Sequence, residues 1–115
     1  MILFEKKYQQ PFAKANITIS SNKATIMLST PGLKKDQVTL TLDNKTLVIC
    51  GKVDKNREPS TFLLKEFNPI TFKRSFEISE DFDTENIEAS LKNGIISISI
   101  PKKEKTNQFK QISIQ

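Results

Sequence analysis

The residue types that most often catalyse reactions or bind metals are scarce in this 115-residue chain. It contains no histidine and a single cysteine, Cys50. A serine or cysteine nucleophile would therefore lack a histidine base, and a zinc site would lack most of its usual ligands. Three glycines are too few to suggest a phosphate-binding loop. We predict that the protein is not an enzyme and has no catalytic, cofactor or metal site.

The carboxylates and the cysteine that remain have simpler interpretations. The cluster Glu80–Asp83 lacks the surrounding pattern of oxygen ligands that a calcium loop needs, so we predict a solvated turn. A single cysteine excludes an intrachain disulfide, which favours a reducing, cytoplasmic location. Because Cys50 lies in the apolar run "TLVIC", we predict that its side chain faces the core.

The charge distribution does not indicate a nucleic-acid or membrane partner. The net charge is +5, but the lysines are scattered along the chain. We interpret them as solubilising charge and predict no nucleic-acid or membrane binding. No apolar run approaches the ~20 residues that a membrane-spanning helix requires.

Apolar binding is the chemistry that the last residues, "KQISIQ", suggest instead. Ile112 and Ile114 are separated by one serine and follow a mostly charged and polar stretch. In an extended strand, residues at i and i+2 point to the same side. The tail therefore carries two apolar side chains that are suited to docking into a groove. Packing of the tail on its own domain is the alternative.

The elements that would position such a site are predicted to be strands. Apolar residues alternate with polar ones in most of the chain. The predicted strands lie in "NITIS", "KATIMLS", "QVTLTLD", "TLVICG", "ITFKRSFEIS", "NIEASLK" and "IISISIP". Turn signals separate them at 30–32, at 43–45 and at Asn93-Gly94, and Pro101 ends the last strand. This pattern is typical of an all-β antiparallel sandwich.

Two segments lie outside the alternating pattern. In residues 1–15, Phe4, Tyr8 and Phe12 have the spacing of one helix face, although Pro11 limits its length, and a frayed arm is the alternative. Residues 53–69 form a long charged excursion in which "TFLLKEF" has the composition of a strand. A structureless loop of that length is uncommon in a compact domain, so we expect this strand to have a partner.

Several of these motifs together resemble one family. They are "TPGLKKDQVTLTLDNKTLVICG", "FKRSFEIS", "IEASLKNGIISISIPKK" and the tail "ISI". Their order and composition are similar to the α-crystallin domain and tail of small heat-shock proteins, specifically the non-metazoan type with a short N-terminal arm. The resemblance implies an immunoglobulin-like α-crystallin sandwich at 16–101, an arm at 1–15 and a C-terminal extension at 102–115.

The resemblance also implies how subunits would contact one another. The tail isoleucines would dock in a groove between "QVTLTL" and "IEASL", lined by Val38, Leu40, Leu42, Ile87, Ala89 and Leu91. The strand in the long excursion would cross to a partner subunit and pair with its first strand. That dimer interface would include Ile17, Ile19, Phe62, Leu64, Glu66 and Arg74. Arg74 falls on the inward face of its strand, so it needs a partner, and Glu66 occupies the family's acidic position.

The function that the resemblance implies is that of an ATP-independent holdase chaperone. Its partners would be partly unfolded client proteins and further copies of itself, as a homodimer and a higher homo-oligomer. Candidate client-binding residues are Phe4, Tyr8 and Phe12 together with the vacated groove. Two alternatives remain open at this point: a static, coat-like scaffold protein, and a monomeric co-chaperone-type binding module.

Overall fold

The protein is an antiparallel β-sandwich. The computed structural model describes residues 3–5, 13–53, 61, 63–64, 66 and 69–104. Its strands are β1 (Leu3–Glu5), β2 (Ala15–Ile19), β3 (Lys23–Ser29), β4 (Val38–Asp43), β5 (Thr46–Gly51), β6 (Phe72–Ile78), β7 (Glu88–Lys92) and β8 (Ile95–Pro101). They form two four-stranded sheets, in the orders β1-β6-β5-β4 and β2-β3-β8-β7. The predicted all-β sandwich is confirmed.

Helical structure is minor in the described part of the chain. Two short 3₁₀ helices, Lys35–Gln37 and Thr84–Asn86, precede β4 and β7. None of the described helices is long and apolar enough to span a membrane.

The core lies between the two sheets and follows the alternation of the sequence. In β3 and β8, the alternating residues Ala24, Ile26, Leu28, Ile96, Ile98 and Ile100 are almost fully buried. From the other sheet, Leu47, Ile49, Phe72, Phe76 and Ile78 pack against them. Each large side chain contributes roughly 1.5–3 kcal/mol when it is removed from water. In β3 and β8, the apolar residues of the alternating pattern therefore form the buried face.

The turn after β3 contacts the turn of the β7–β8 hairpin. Asn93 and Gly94 have φ values of 53° and 75°, the left-handed conformation that a two-residue hairpin turn requires. The backbone N–H of Thr30 donates to the carbonyl of Gly94 at 2.7 Å, and the Thr30 hydroxyl contacts the same oxygen at 3.2 Å. The 30–32 turn is thereby held against the hairpin turn.

The prediction that Cys50 faces the core is wrong. Core-facing positions of β5 are Leu47, Ile49 and Gly51, so Cys50 lies on the outer face and is half-buried. The strand is apolar on both faces because it is central in its sheet, between β4 and β6. Alternation alone does not identify the inward face of such a strand.

Neither the helix nor the frayed arm considered for residues 1–15 is present at Phe4, because Leu3–Glu5 forms a strand on β6. A short isolated helix is marginal in water, whereas an open strand edge offers main-chain partners. Tyr8 and Phe12 lie outside the described residues. In the predicted strand "TFLLKEF", the residues that are described lie outside strands in this single chain.

Candidate functional site

An apolar groove of about 260 Å³ opens between β4 and β7, which are edge strands of the two sheets. Its lining consists of Lys35, Val38, Leu40, Ala89, Ser90, Leu91 and Ile96. The 3₁₀ helix before β4 supplies Lys35, and the remaining residues come from β4, β7 and β8. The groove is therefore built where the two sheets separate, on regular strands rather than on loops.

The shape of the groove follows from the residues at the two edges. Leu40 is 37% exposed although it alternates toward the interior, because no strand of the described chain covers that side of β4. Ala89, on the opposite wall, is small and leaves room for an incoming side chain. Ile96 is only 2% exposed and connects the groove to the core. An apolar prong in the groove would thus extend the hydrophobic core.

Main-chain groups are also available along both walls. The N–H of Lys52 donates to the carbonyl of Gln37, so the main-chain groups of Gln37 face β5. Main-chain groups alternate in direction along a strand, and those of Val38 and Leu40 therefore point away from β5. Across the two-residue turn, Lys92 and Ile95 form a hydrogen-bonded pair. By alternation, the main-chain groups of Ala89 and Leu91 therefore point away from β8. An extended segment in the groove would meet apolar side chains and hydrogen-bonding groups together.

The structure brings together four of the six residues expected to line the groove: Val38, Leu40, Ala89 and Leu91. Leu42 and Ile87 are not among the lining residues; Leu42 is 39% exposed and Ile87 packs partly against the core. Sequence reasoning missed Lys35, whose segment "LKKDQ" has the composition of an ordinary charged loop. The tail residues Ile112 and Ile114 lie outside the described residues.

A second surface lies at β2, the other edge of its sheet. Ile17 and Ile19 are 41% and 50% exposed. The N–H of Ser29 donates to the carbonyl of Lys14, so the main-chain groups of Lys14 face β3. Those of Ile17, three residues later, therefore point away from β3, to the unpaired edge of β2. Among the other residues expected at a dimer interface, Leu64 and Glu66 are exposed and Phe62 is outside the described residues.

Arg74 lies on β6 with its side chain directed inward and half-buried. Its Nη1 donates to the carbonyl oxygen of Ala13 at 2.6 Å, and its guanidinium carbon lies 5.3 Å from the centre of the Phe76 ring. Ala13 is 1% exposed and leads directly into β2. Arg74 therefore connects one sheet to the start of the edge strand of the other.

A polar cluster lies at the start of the segment that leads into β7. Asp83, at the start of the 3₁₀ helix that leads into β7, accepts hydrogen bonds from the Asn86 side chain at 2.6 Å and the Glu85 N–H at 3.0 Å. These bonds favour the charged carboxylate and lower its pKa. Within the described ranges, no group of three or more potential ligands could hold a metal ion. The arrangement is suited to binding extended apolar chains.

The sequence of the chain is similar to those of known proteins. A family model described as the Hsp20/alpha crystallin family matches residues 16–115. Small heat shock protein C4 of Rickettsia felis is 31% identical over 99 residues, which cover 84% of this chain and 61% of that protein. Heat shock protein 16 of Schizosaccharomyces pombe is 30% identical over 108 residues, covering 87% and 74%. The chain thus spans 61% of the length of the Rickettsia protein and 74% of the length of the Schizosaccharomyces protein.

The fold is also shared with solved structures. A small heat-shock protein from Xylella fastidiosa, described as having a distinct high order structure, superposes with a TM-score of 0.75 at 25% identity. The match covers 93% of this chain and 99% of that one. Heat shock protein 16.0 from Schizosaccharomyces pombe superposes with a TM-score of 0.70 over 92% of this chain. The sandwich is therefore of the α-crystallin type.

Proposed function

This chain belongs to the Hsp20/alpha crystallin family, and from that premise we propose that it is an ATP-independent holdase chaperone. It would bind partly unfolded proteins and keep them from aggregating. The observation that carries the proposal is the apolar groove between β4 and β7, which has open main-chain groups on both walls. Non-native chains expose extended apolar segments, and such a groove fits them.

Within this function, we propose that the groove alternates between two occupants. In the resting assembly it holds the tail of a neighbouring subunit, with Ile112 and Ile114 as its prongs. Burial of one isoleucine contributes roughly 1.5–3 kcal/mol, from which the cost of ordering the tail is subtracted. A contact of this strength is weak alone and strong when it is repeated, so tails would release and rebind.

The holdase activity is tested with a reporter enzyme that aggregates on heating. Wild-type protein in molar excess should suppress light scattering equally with and without ATP, because binding requires only vacant apolar surface. An unrelated β-sandwich protein of similar size and net charge is the matched control for crowding and charge. Full scattering in the presence of the wild-type protein would contradict the proposal.

We also propose that dimers form by strand exchange at β2. The exposed Ile17 and Ile19 and the outward main-chain groups support a strand acceptor, and the exposed Leu63 and Leu64 support a donor. Burying these side chains against a partner would remove apolar surface that is costly in water.

The proline variant Ile17→Pro tests the acceptor strand. The Ile17 N–H faces the open edge, so proline would delete a bond to the incoming strand without deleting one to β3. We expect the dimer dissociation constant to rise by about tenfold or more, since a ladder bond and its neighbours contribute on the order of 1–2 kcal/mol. Sedimentation velocity over a concentration series measures this.

The matched control is Ile17→Ala, which removes apolar surface but keeps the N–H. It should weaken the dimer less than the proline does. Dimers of unchanged affinity in Ile17→Pro, with a folded domain by circular dichroism, would show that β2 is not the acceptor.

A further inference from the structure

The edge of β6 is occupied by the chain's own N-terminal residues. Leu3, Phe4 and Glu5 lie opposite Ile78, Glu77 and Phe76 in an antiparallel ladder. In the sheet order β1-β6-β5-β4, this three-residue strand is the edge strand, and without it β6 would be at the edge. The position is distinct from the β4–β7 groove and from the β2 edge.

The ladder between β1 and β6 contains few main-chain bonds. The Ile78 N–H donates to the carbonyl of Lys45 at 2.7 Å, so the main-chain groups of Ile78 face β5. By alternation, those of Glu77 face β1, and Phe4 is the residue opposite. Within Leu3–Glu5, only the Phe4–Glu77 pair is therefore placed to exchange main-chain bonds. A strand held by so few bonds is readily displaced by a competing strand.

A second contact keeps the arm close to β6. Arg74 of the same strand donates to the carbonyl of buried Ala13 at 2.6 Å, eight positions after Glu5. If β1 leaves the edge, this contact still tethers the segment nearby. A short tether gives the displaced strand an effective concentration of about millimolar, so it rebinds when no competitor is present.

We infer that the β6 edge is a second acceptor site for extended segments of non-native proteins, and that Leu3–Glu5 is its resident competitor. The resident segment belongs to the apolar run "MILF", and apolar, β-prone runs of this kind are what partly unfolded chains expose. The inference rests on the proposed holdase function and adds a separate site to it. Client binding at this edge would be limited by release of β1.

The test compares two proline variants. Phe4→Pro removes the N–H that faces Glu77, whereas in Glu5→Pro the lost N–H faces away from β6, so this variant is the matched control. Amide hydrogen exchange followed by NMR should be about tenfold faster at Glu77 in Phe4→Pro, because loss of the Phe4 N–H bond lets β1 leave more often, and β1 carries the Phe4 carbonyl to which the Glu77 N–H donates. Exchange in Glu5→Pro should stay near the wild-type value.

Client contact is measured on the same proteins with the photocrosslinker p-benzoyl-L-phenylalanine at position 73, an exposed site on β6. The probe is a fluorescently labelled reporter enzyme during heating. Crosslinking should increase severalfold in Phe4→Pro, and an excess of a synthetic peptide of residues 1–10 should reverse the increase. A scrambled peptide should not reverse it.

Three results would overturn the inference. One is unchanged exchange at Glu77 in Phe4→Pro, and another is faster exchange without more client crosslinking. The third is crosslinking to a second copy of this chain in place of the client, which would make the edge a self-association surface. In each case, suppression of aggregation by the wild-type protein would leave the proposed function intact.

Discussion

The double change Ile112→Ala, Ile114→Ala is expected to convert assemblies larger than the dimer into dimers, while the domain keeps its stability. Both isoleucines follow a polar linker, and truncation removes most of the apolar surface that would dock in the β4–β7 groove. Each truncation costs the contact roughly 1.5–3 kcal/mol, so a linkage that is used repeatedly should fail completely. Light scattering coupled to size exclusion gives the mass, and thermal unfolding gives the stability.

Ala89→Phe provides a matched variant from the groove side. Ala89 lines the groove and is exposed, so a phenylalanine would fill the groove with little disturbance of the core. Assemblies should again fall to dimers. The two variants differ in one respect, because the tail variant leaves the groove vacant and Ala89→Phe leaves it blocked.

Comparing a vacant groove with a blocked groove distinguishes docking of the tail from binding of clients. If clients use the groove, the tail variant should capture a reporter enzyme earlier than wild type, and Ala89→Phe should capture it later. Equal capture by both variants would place client binding elsewhere. Full wild-type mass in both variants, or a wild-type protein that is already a dimer, would show that the tail does not link dimers.

Arg74→Met is expected to lower the free energy of unfolding by about 2 kcal/mol. The substitution keeps most of the side-chain volume but removes the charged donor to the Ala13 carbonyl, and hydrogen bonds to charged groups contribute ~1.5–3 kcal/mol. For a domain of this size, we expect the melting temperature to fall by roughly 8–16 °C. Thermal unfolding must be measured over a concentration series, because self-association also raises the melting temperature.

Two companion variants show which partner of Arg74 contributes to the stability of the domain. Arg74→Lys retains one charged donor and should lose less stability than Arg74→Met. Glu66→Gln removes the acid that was expected to pair with Arg74, and because Glu66 is exposed in the chain, the unfolding of the domain should not change. If Glu66→Gln instead destabilises the protein as much as Arg74→Met, the carboxylate rather than the Ala13 carbonyl is the dominant partner.

Amide exchange gives a further readout for Arg74. Ala13 leads into β2, so loss of the Arg74 contact should speed exchange at the start of β2 before it affects β8 in the core. A uniform increase in exchange throughout the domain would indicate general destabilisation rather than a local role.

Local signals in the sequence identify much of the sandwich. Alternation in "KATIMLS" and "IISISIP" identifies the buried faces of β3 and β8, because a shift of one residue would expose the fully buried Ile26, Ile98 and Ile100. The Asn93-Gly94 pair identifies the hairpin, because few other residues adopt positive φ at both turn positions. These are local signals, and each one agrees with the global fold. The family resemblance, confirmed by the match over residues 16–115, rests on the same stretches.

The contacts between distant parts of the chain follow from the packing of the whole domain. The inward face of β5 depends on the neighbours on both sides of the strand, so the position of Cys50 could not be read from an all-apolar run. Lys35 enters the groove because the 3₁₀ helix places it beside β4. The Arg74–Ala13 contact joins residues 61 positions apart, and the β1–β6 ladder joins residues still farther apart. Pairings over such distances are selected by the packing of the whole domain, because no local propensity distinguishes one open strand edge from another.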